Sequence, residues 1–309
     1  MVKYYYKSLR TQEVKEFHDY QRGSWVYVEA PTDEEVQALV KTFKLQPGHL
    51  EDALDIDEMP RLEREDNRNY VFVRFAYKNE EKELVTVPLL FIFGDDILMT
   101  VSLVRLPGLD DFLNGKINFA TTQRAKMVLQ ILQQISDRYD TFITRTSKQI
   151  KLIRSRLRGH EISSQDFIDF VMIEDELNEF LSSLQPTNAT LRRLLLGRYM
   201  TLFDEDQDIV EDLLLNNEQS IEACNSNLKS IDNIREAYSS ISSHNLNYTM
   251  KVLTVATVII ALPNVFYGMY GMNVNLPFQH KTWAFEAVAG FTLLLIVALL
   301  VFARRKRIL

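Results

Sequence analysis

Residues 252–270, VLTVATVIIALPNVFYGMY, contain no charged side chain in 19 positions. A helix rises about 1.5 Å per residue and a bilayer core is about 30 Å thick, so about 20 such residues cross it. A second apolar stretch, residues 283–303, carries a single charge, Glu286, close to its start. The two stretches predict two transmembrane helices near the carboxyl end of the chain.

The charges that flank these stretches predict which side of the membrane each end occupies. Lys251 precedes the first span and a basic tail, residues 304–309, follows the second, whereas the loop 271–282 has Lys281 alone. Positive side chains favour the cytoplasmic side. We therefore expect an external loop, a multi-pass protein of the inner or plasma membrane, and both termini in the cytoplasm.

The rest of the chain is acidic, and its composition argues against several classes of function. The chain has 35 basic and 42 acidic residues, a net charge of −7; residues 244–309 contribute +5, so residues 1–243 carry −12. A nucleic-acid binder needs a basic face, so we expect no nucleic-acid partner. The five histidines lack metal-ligand spacing and there is no phosphate-binding loop, so we expect no enzyme, no organic cofactor and no coupling to ATP.

Residues 1–121 predict a mixed α/β domain in the cytoplasm. Runs rich in aromatic and β-branched side chains are typical of strands, and they cover residues 24–28, 70–77, 85–93 and 97–101. Residues 94–96, Gly-Asp-Asp, predict a turn between the last two runs. Thr32 and Glu35 predict the capping box of an amphipathic helix that ends near Phe43.

Residues 122–207 predict a helical region, because apolar side chains recur every three or four positions. We expect a first long helix to break at Gly159 and a second to break at residues 185–186, Gln-Pro. Thr187 or Asn188 is then expected to cap the helix that follows.

Residues 208–270 contain no glycine or proline before Pro263, and they predict one stalk helix that continues into the first span, about residues 252–270. About 60 residues at about 1.5 Å each give about 90 Å, far more than a membrane needs. A polar helix of this length is not stable alone and needs neighbouring helices or other subunits. This is a first indication of an oligomer.

Small or polar side chains form one stripe along the first span. With spacings of 7, 3, 4, 3 and 4 residues, its members are Asn247, Thr254, Thr257, Ala261, Asn264 and Gly268. Polar groups within a membrane face a bundle interior or a water-filled path, and small ones allow close helix packing. Both an ion path and simple helix packing fit the stripe. Two spans cannot enclose a pore, so an ion path requires several copies.

The sequence at the end of the first span, Tyr270-Gly271-Met272-Asn273, resembles the signature of the CorA family of magnesium transporters. Its place between two terminal spans and residues 250–254 (MKVLT) add to the resemblance. Residues 50–55 (LEDALD), 60–63 (PRLE) and 70–72 (YVF) are similar to the family's soluble domain. The resemblance implies an α+β cytoplasmic domain with α/β/α layers and long helices, two C-terminal transmembrane helices, and a homopentameric funnel in the lipid bilayer.

The resemblance also implies the residues of the ion path. The selectivity filter would be Gly271, Met272 and Asn273, and the pore would be lined by Asn247, Met250, Leu253, Thr257, Ala261 and Asn264. The family often has a hydroxyl residue at the position of Asn264 and a bulkier apolar residue at that of Ala261. Its external loop often carries a Glu after a Pro, whereas residues 274–280 contain no carboxylate.

The ion implied is hydrated Mg²⁺, both as transported substrate and as regulator. Five copies of a domain with a charge of −12 repel one another unless cations bridge them, which predicts closure by intracellular Mg²⁺. By counting back from Met250, Asp212 matches the family's regulatory carboxylate at the subunit interface.

Two alternatives remain. A related transporter of Zn²⁺, Co²⁺ or Ni²⁺ is one, although the Zn²⁺ relatives have another residue at the middle of the signature and Met272 argues against that ion. The other belongs to a different class: a membrane-anchored helical scaffold without transport, in which the stripe packs helices and Asn273 is incidental.

Overall fold

The computed structural model describes residues 1–11, 13–158, 163–274 and 280–305. The elements in chain order are β1 (Val2–Tyr6), β2 (Lys15–Phe17), β3 (Trp25–Glu29), α1 (Asp33–Phe43), α2 (Pro47–Ala53), β4 (Arg61–Glu65), β5 (Arg68–Lys78), β6 (Leu84–Phe93), β7 (Leu98–Ser102), α3 (Leu109–Leu113), α4 (Arg124–Arg158), α5 (Ser164–Leu195), α6 (Asp204–Tyr270) and α7 (Ala284–Arg305). Contacts divide the chain into two units, Met1–Asp232 and Asn233–Leu309. The domain boundaries expected near residues 121 and 207 remain predictions.

The first unit is built on one seven-stranded sheet with the order β2-β1-β3-β7-β6-β5-β4. β3 and β7 pair in parallel, and the other neighbours are antiparallel. Because side chains alternate along a strand, Phe72 of β5 packs with Leu39 of α1 and Leu50 of α2. The next residue, Val73, lines a small cavity with Tyr139 of α4 and residues of α5. Helices therefore cover both faces of the sheet, which confirms the predicted α/β/α layers.

The predicted strands and the first predicted helix are confirmed. The four predicted runs form β3, β5, β6 and β7. At the start of α1 the Glu35 N–H donates to Thr32 Oγ1 at 3.3 Å, and the Thr32 N–H donates to Glu35 Oε2 at 2.9 Å. Strands β1, β2 and β4 were not predicted from the sequence. The edge strands β2 and β4 read KEF and RLERE, and charged side chains suit strands whose outer edge faces water.

The predicted break at residues 185–186 is wrong, because α5 continues through Pro186 to Leu195. Proline removes one backbone N–H and its ring crowds the preceding turn. Buried leucines on both sides of the proline, Leu184 and Leu191, hold the helix against the rest of the unit. Neither Thr187 nor Asn188 is a cap, because both lie inside α5. The Thr187 hydroxyl donates to a carbonyl one turn earlier in the same helix, at 2.7 Å. The break predicted at Gly159 lies outside the described residues.

The long helix α6 has 67 residues and begins at Asp204, four residues before the predicted start. Within the first unit it buries one seam, with alternating spacings of three and four residues: Val210, Leu213, Asn217, Ser220, Cys224, Asn227 and Ile231. Such a repeat is typical of helices that pack side by side. Asn217 Nδ2 donates to the Leu184 carbonyl of α5 at 2.8 Å, and Asn227 Nδ2 donates to Ser147 Oγ of α4 at 2.8 Å.

The second unit consists of the rest of α6 and of α7. Both helices are long and apolar enough to cross a membrane, with mean hydropathies of 1.9 and 2.5 over their most apolar 18 residues. α6 passes through Pro263 without interruption, as the sequence predicts. These helices correspond to the two predicted spans.

Candidate functional site

In the second unit α6 presents two different rows of side chains. One row is half-buried, with spacings of three and four residues: Val252, Val255, Ile259, Leu262 and Phe266. At its end the Phe266 ring meets Phe291 of α7 edge-on, with 5.3 Å between ring centroids. This apolar row is the side of α6 that packs within one chain.

The predicted pore-lining residues form the other row, and they are exposed. Asn247, Met250, Leu253, Thr257, Ala261 and Asn264 are spaced by three or four residues, so they share one face of α6, and all six are exposed. Met250 is 54% exposed and Leu253 is 59% exposed, high values for side chains in an apolar helix. The structure therefore brings the six residues onto one surface of a single chain and leaves that surface uncovered.

The threonine hydroxyls on the exposed row and beside it are satisfied by their own helix. Thr254 Oγ1 donates to the Met250 carbonyl and Thr257 Oγ1 to the Leu253 carbonyl, each at 2.8 Å. A hydroxyl that donates to its own backbone still has oxygen lone pairs that can accept from water or from another chain. These hydrogen bonds do not hold α6 to α7.

The predicted selectivity filter lies directly after α6. The Gly271 N–H donates to the carbonyls of Tyr267 at 3.0 Å and Gly268 at 3.2 Å, and the Met272 N–H donates to the Met269 carbonyl at 3.2 Å. A Cβ added at Gly271 would lie 3.4 Å from the Tyr267 carbonyl oxygen, an ordinary contact. Asn273 is exposed. Residues 275–279 of the predicted external loop lie outside the described residues.

The predicted regulatory residue, Asp212, is exposed on α6 in the first unit, beside the exposed Glu211. Among the residues that the structure describes, no three His, Cys, Asp or Glu side chains are grouped closely enough to hold a metal ion. A metal site at Asp212 thus stays a prediction, and it needs ligands that a single chain does not assemble there.

Two features of the structure were not found from the sequence. The Tyr267 hydroxyl lies 3.1 Å from Thr292 Oγ1, which joins α6 to α7. An open cavity of about 950 Å³ lies in the first unit where α4 and α6 begin. Its lining combines basic residues such as Arg64 and Lys126 with acidic ones such as Glu205, so its charge favours no class of ligand.

The chain is similar to known transport proteins over most of its length. The family model described as "CorA-like Mg2+ transporter protein" matches residues 20–305. A cobalt/magnesium transport protein CorA of Methanocaldococcus jannaschii is 25% identical over 303 residues, which is 94% of this chain and 92% of the relative. A magnesium transport protein CorA of Wolinella succinogenes is 25% identical over 280 residues, which is 84% of this chain and 83% of the relative.

A solved structure of similar fold agrees with this result. The complete structure of the CorA magnesium transporter from Methanocaldococcus jannaschii has a TM-score of 0.87 and 21% sequence identity, and the match covers 99% of this chain and 98% of that one. Its likeness concerns the fold. The family model, in contrast, spans both units, the signature and both apolar helices, and the chain therefore belongs to the CorA-like Mg²⁺ transporter family.

Proposed function

We propose that this chain forms a membrane channel for divalent cations, assembled as a homopentamer, with Mg²⁺ as its chief substrate. The observation that carries the proposal is the division of α6 into two rows: an apolar row that is half-buried, and a row containing Thr257 and Asn264 that is exposed. An exposed amide in the middle of a span is costly in lipid. If several copies of the chain turned their exposed rows toward a common axis, the Asn264 amide could form hydrogen bonds with water there.

The hydrogen bonds of the threonines on the stripe favour this arrangement over packing of the stripe against α7 of the same chain. Thr254 and Thr257 bond to their own helix, and the ring contact with α7 is made by Phe266, on the other row. If the stripe served only to hold the two spans together, it would face α7. Beyond their own helix, the polar groups of the stripe can therefore bind only water or other copies of the chain.

The signature suits an ion that keeps its water. Mg²⁺ requires octahedral oxygen geometry at about 2.0–2.1 Å and releases water reluctantly. A ring of Asn273 side chains supplies neutral amide oxygens, which accept hydrogen bonds from the hydration shell without replacing it. Neutral groups also bind weakly enough to let the ion leave, which conduction requires. We assign selectivity to Gly271, Met272 and Asn273 on this basis.

The other lining residues have different roles according to their chemistry. Met250 and Leu253 would form apolar rings that stop conduction by excluding water when the helices are close together. Ala261 is small, so it would not narrow the path. Asn247, Thr257 and Asn264 would offer polar oxygens to the hydrated ion.

The driving force is the membrane potential. A doubly charged ion gains about 4.6 kcal/mol per 100 mV, twice the value of about 2.3 kcal/mol for one charge. Because the inside of the cell is negative, this potential drives uptake inward. The basic residues that flank the spans support a cytoplasmic position for the amino-terminal unit and the tail.

Intracellular Mg²⁺ would close the channel. Residues 1–243 carry −12, so five copies bring about sixty negative charges around one axis. Cations bound between subunits reduce this repulsion and hold the closed state, and their loss lets the subunits move. Asp212 is our candidate ligand because it matches the family's regulatory carboxylate when positions are counted back from Met250, and because it is exposed.

Co²⁺ is a second substrate that the comparisons favour, since the relative from Methanocaldococcus jannaschii is named for cobalt and magnesium. The same oxygen-lined path would accept hydrated Co²⁺ and Ni²⁺. Met272 at the centre of the signature favours Mg²⁺ over Zn²⁺.

Growth of a host that lacks its own magnesium uptake tests the proposal. Cells that express this chain should grow at low Mg²⁺, and cells that express the Asn273→Ala chain at an equal level should not. Equal growth of both strains would place selectivity elsewhere. No rescue by the intact, membrane-inserted chain would favour the scaffold.

A further inference from the structure

The two spans of one chain are joined by a hydrogen bond between side chains. The Tyr267 hydroxyl of α6 lies 3.1 Å from Thr292 Oγ1 of α7. Thr292 is only 3% exposed, although most of α7 is exposed. This contact lies one helical turn before the signature.

Thr292 has a single hydroxyl hydrogen, and this decides which residue is the donor in the bond between Tyr267 and Thr292. Thr292 donates this hydrogen to the Ala289 carbonyl at 2.9 Å. The oxygen of Thr292 is then left as an acceptor, so the Tyr267 hydroxyl is the donor. Apolar surroundings contain few other acceptors, which keeps this partner in place.

Tyr267 is also tied to the signature through its backbone. Its carbonyl accepts the Gly271 N–H at 3.0 Å. One residue thus holds Gly271 by its main chain and α7 by its side chain. The neighbouring contact between the Phe266 and Phe291 rings supports the same turn.

We propose that Tyr267 is a positioning residue for the mouth of the channel: by donating to Thr292, its hydroxyl fixes the last turn of α6 against α7 and so places residues 271–273. The inference rests on the proposed function, because it assigns the mouth to the signature. Tyr267 lies on neither the exposed row nor the half-buried row of α6. It therefore acts through Gly271 and does not touch the ion.

The test removes one partner at a time. Tyr267→Phe deletes the donor and keeps the ring, and Thr292→Val deletes the acceptor and keeps the shape. Thr292→Ser keeps the hydroxyl and is the matched control. In reconstituted vesicles, Tyr267→Phe and Thr292→Val should each raise the Mg²⁺ concentration for half-maximal uptake about threefold, the equivalent of about 0.6 kcal/mol for an interhelical hydrogen bond in a membrane. Thr292→Ser should match the original chain.

The double variant and a measurement independent of transport complete the test. If the two groups act as one unit, Tyr267→Phe combined with Thr292→Val should shift half-maximal uptake no more than either change alone. Amide exchange of residues 268–273 in lipid nanodiscs should be about threefold faster in both single variants. Unchanged half-maximal uptake together with unchanged exchange overturns the inference, and so do shifts that add in the double variant.

The exchange measurement also separates the inference from the proposed function. If the original chain carries no Mg²⁺, the proposed function fails. The positioning of residues 271–273 by Tyr267 is then judged by exchange alone, and equal exchange rates in all variants overturn it.

Discussion

The two units differ in how much of their surface a single chain satisfies. In the first unit the sheet is covered on both faces, and α6 buries an uninterrupted seam from Val210 to Ile231. In the second unit the same helix leaves a row of polar and apolar side chains exposed. The part of α6 in the first unit therefore packs within its own chain. The part in the second unit has an exposed surface that lipid, water or further copies must cover. The change marks where folding within one chain ends and assembly begins.

The largest effect is expected at the signature. Asn273→Ala and Gly271→Ala should each reduce Mg²⁺ uptake at least tenfold while the protein keeps its fold and oligomeric state. A Cβ at Gly271 meets only ordinary contacts within the chain, so the loss would arise in the assembled mouth. The matched control is Gly290→Ala on α7, where a Cβ has no neighbour within 4 Å among the described residues. Unchanged uptake in either signature variant contradicts the assignment.

Removing one phenylalanine from each unit compares their packing directly. Phe72 is fully buried, and Phe72→Ala should lower the free energy of unfolding by about 3–5 kcal/mol. Phe291 is 52% exposed and has one ring partner among the described residues, so Phe291→Ala should cost about 0.5–1.5 kcal/mol. Denaturant unfolding of the full chain in detergent, followed by fluorescence of the buried Trp25, measures the first. The same unfolding experiment, followed by fluorescence of Trp283 in the second unit, measures the second. Equal losses would show that the units do not differ in packing.

Asn264→Leu separates an ion path from helix packing. If this face lines water, the variant should slow Mg²⁺ conduction several-fold, because an apolar ring at that level impedes a hydrated ion. The oligomer should persist. Intact flux combined with dissociation into smaller species would show instead that Asn264 holds subunits together.

The smallest effect concerns regulation. Asp212→Asn should raise, by about two- to fourfold, the Mg²⁺ concentration that protects the amino-terminal unit from proteolysis, because one carboxylate is removed from each intersubunit contact. Glu211→Gln, on the neighbouring exposed position, is the matched control and should not change the protection curve. Identical curves for Asp212→Asn and the original chain exclude Asp212 as the sensor.

Periodic features were predictable from the sequence. Uninterrupted apolar stretches give the spans, three-and-four spacing gives α4 and α6, and β-branched runs give the central strands. Each of these patterns repeats many times within one segment, so a single residue that breaks the pattern does not obscure the helix or strand.

What the sequence did not predict depends on partners distant in the chain. Pro186 is a strong local signal for a break, but buried leucines on both sides keep α5 continuous. The bond between Tyr267 and Thr292 joins residues 25 positions apart, and no spacing rule selects that pair among the polar groups of the two spans. The ligands that would accompany Asp212 belong to contacts between chains, which neither the sequence nor one chain displays.

Thiol accessibility tests directly whether the exposed row of α6 lines water in the assembled protein. Cys224 is the chain's single cysteine, and burial raises its pKa to about 12, so it contributes little background to thiolate chemistry. Thr257→Cys and Asn264→Cys place thiols on the exposed row, and Val255→Cys and Ile259→Cys place matched thiols on the half-buried row.

The measurement is the rate of modification by a charged, membrane-impermeant methanethiosulfonate in vesicles, together with the Mg²⁺ uptake that remains. We expect modification at least tenfold faster at positions 257 and 264 than at 255 and 259, with loss of uptake only at positions 257 and 264. Equal rates on both rows, or faster modification of the half-buried row, would contradict it.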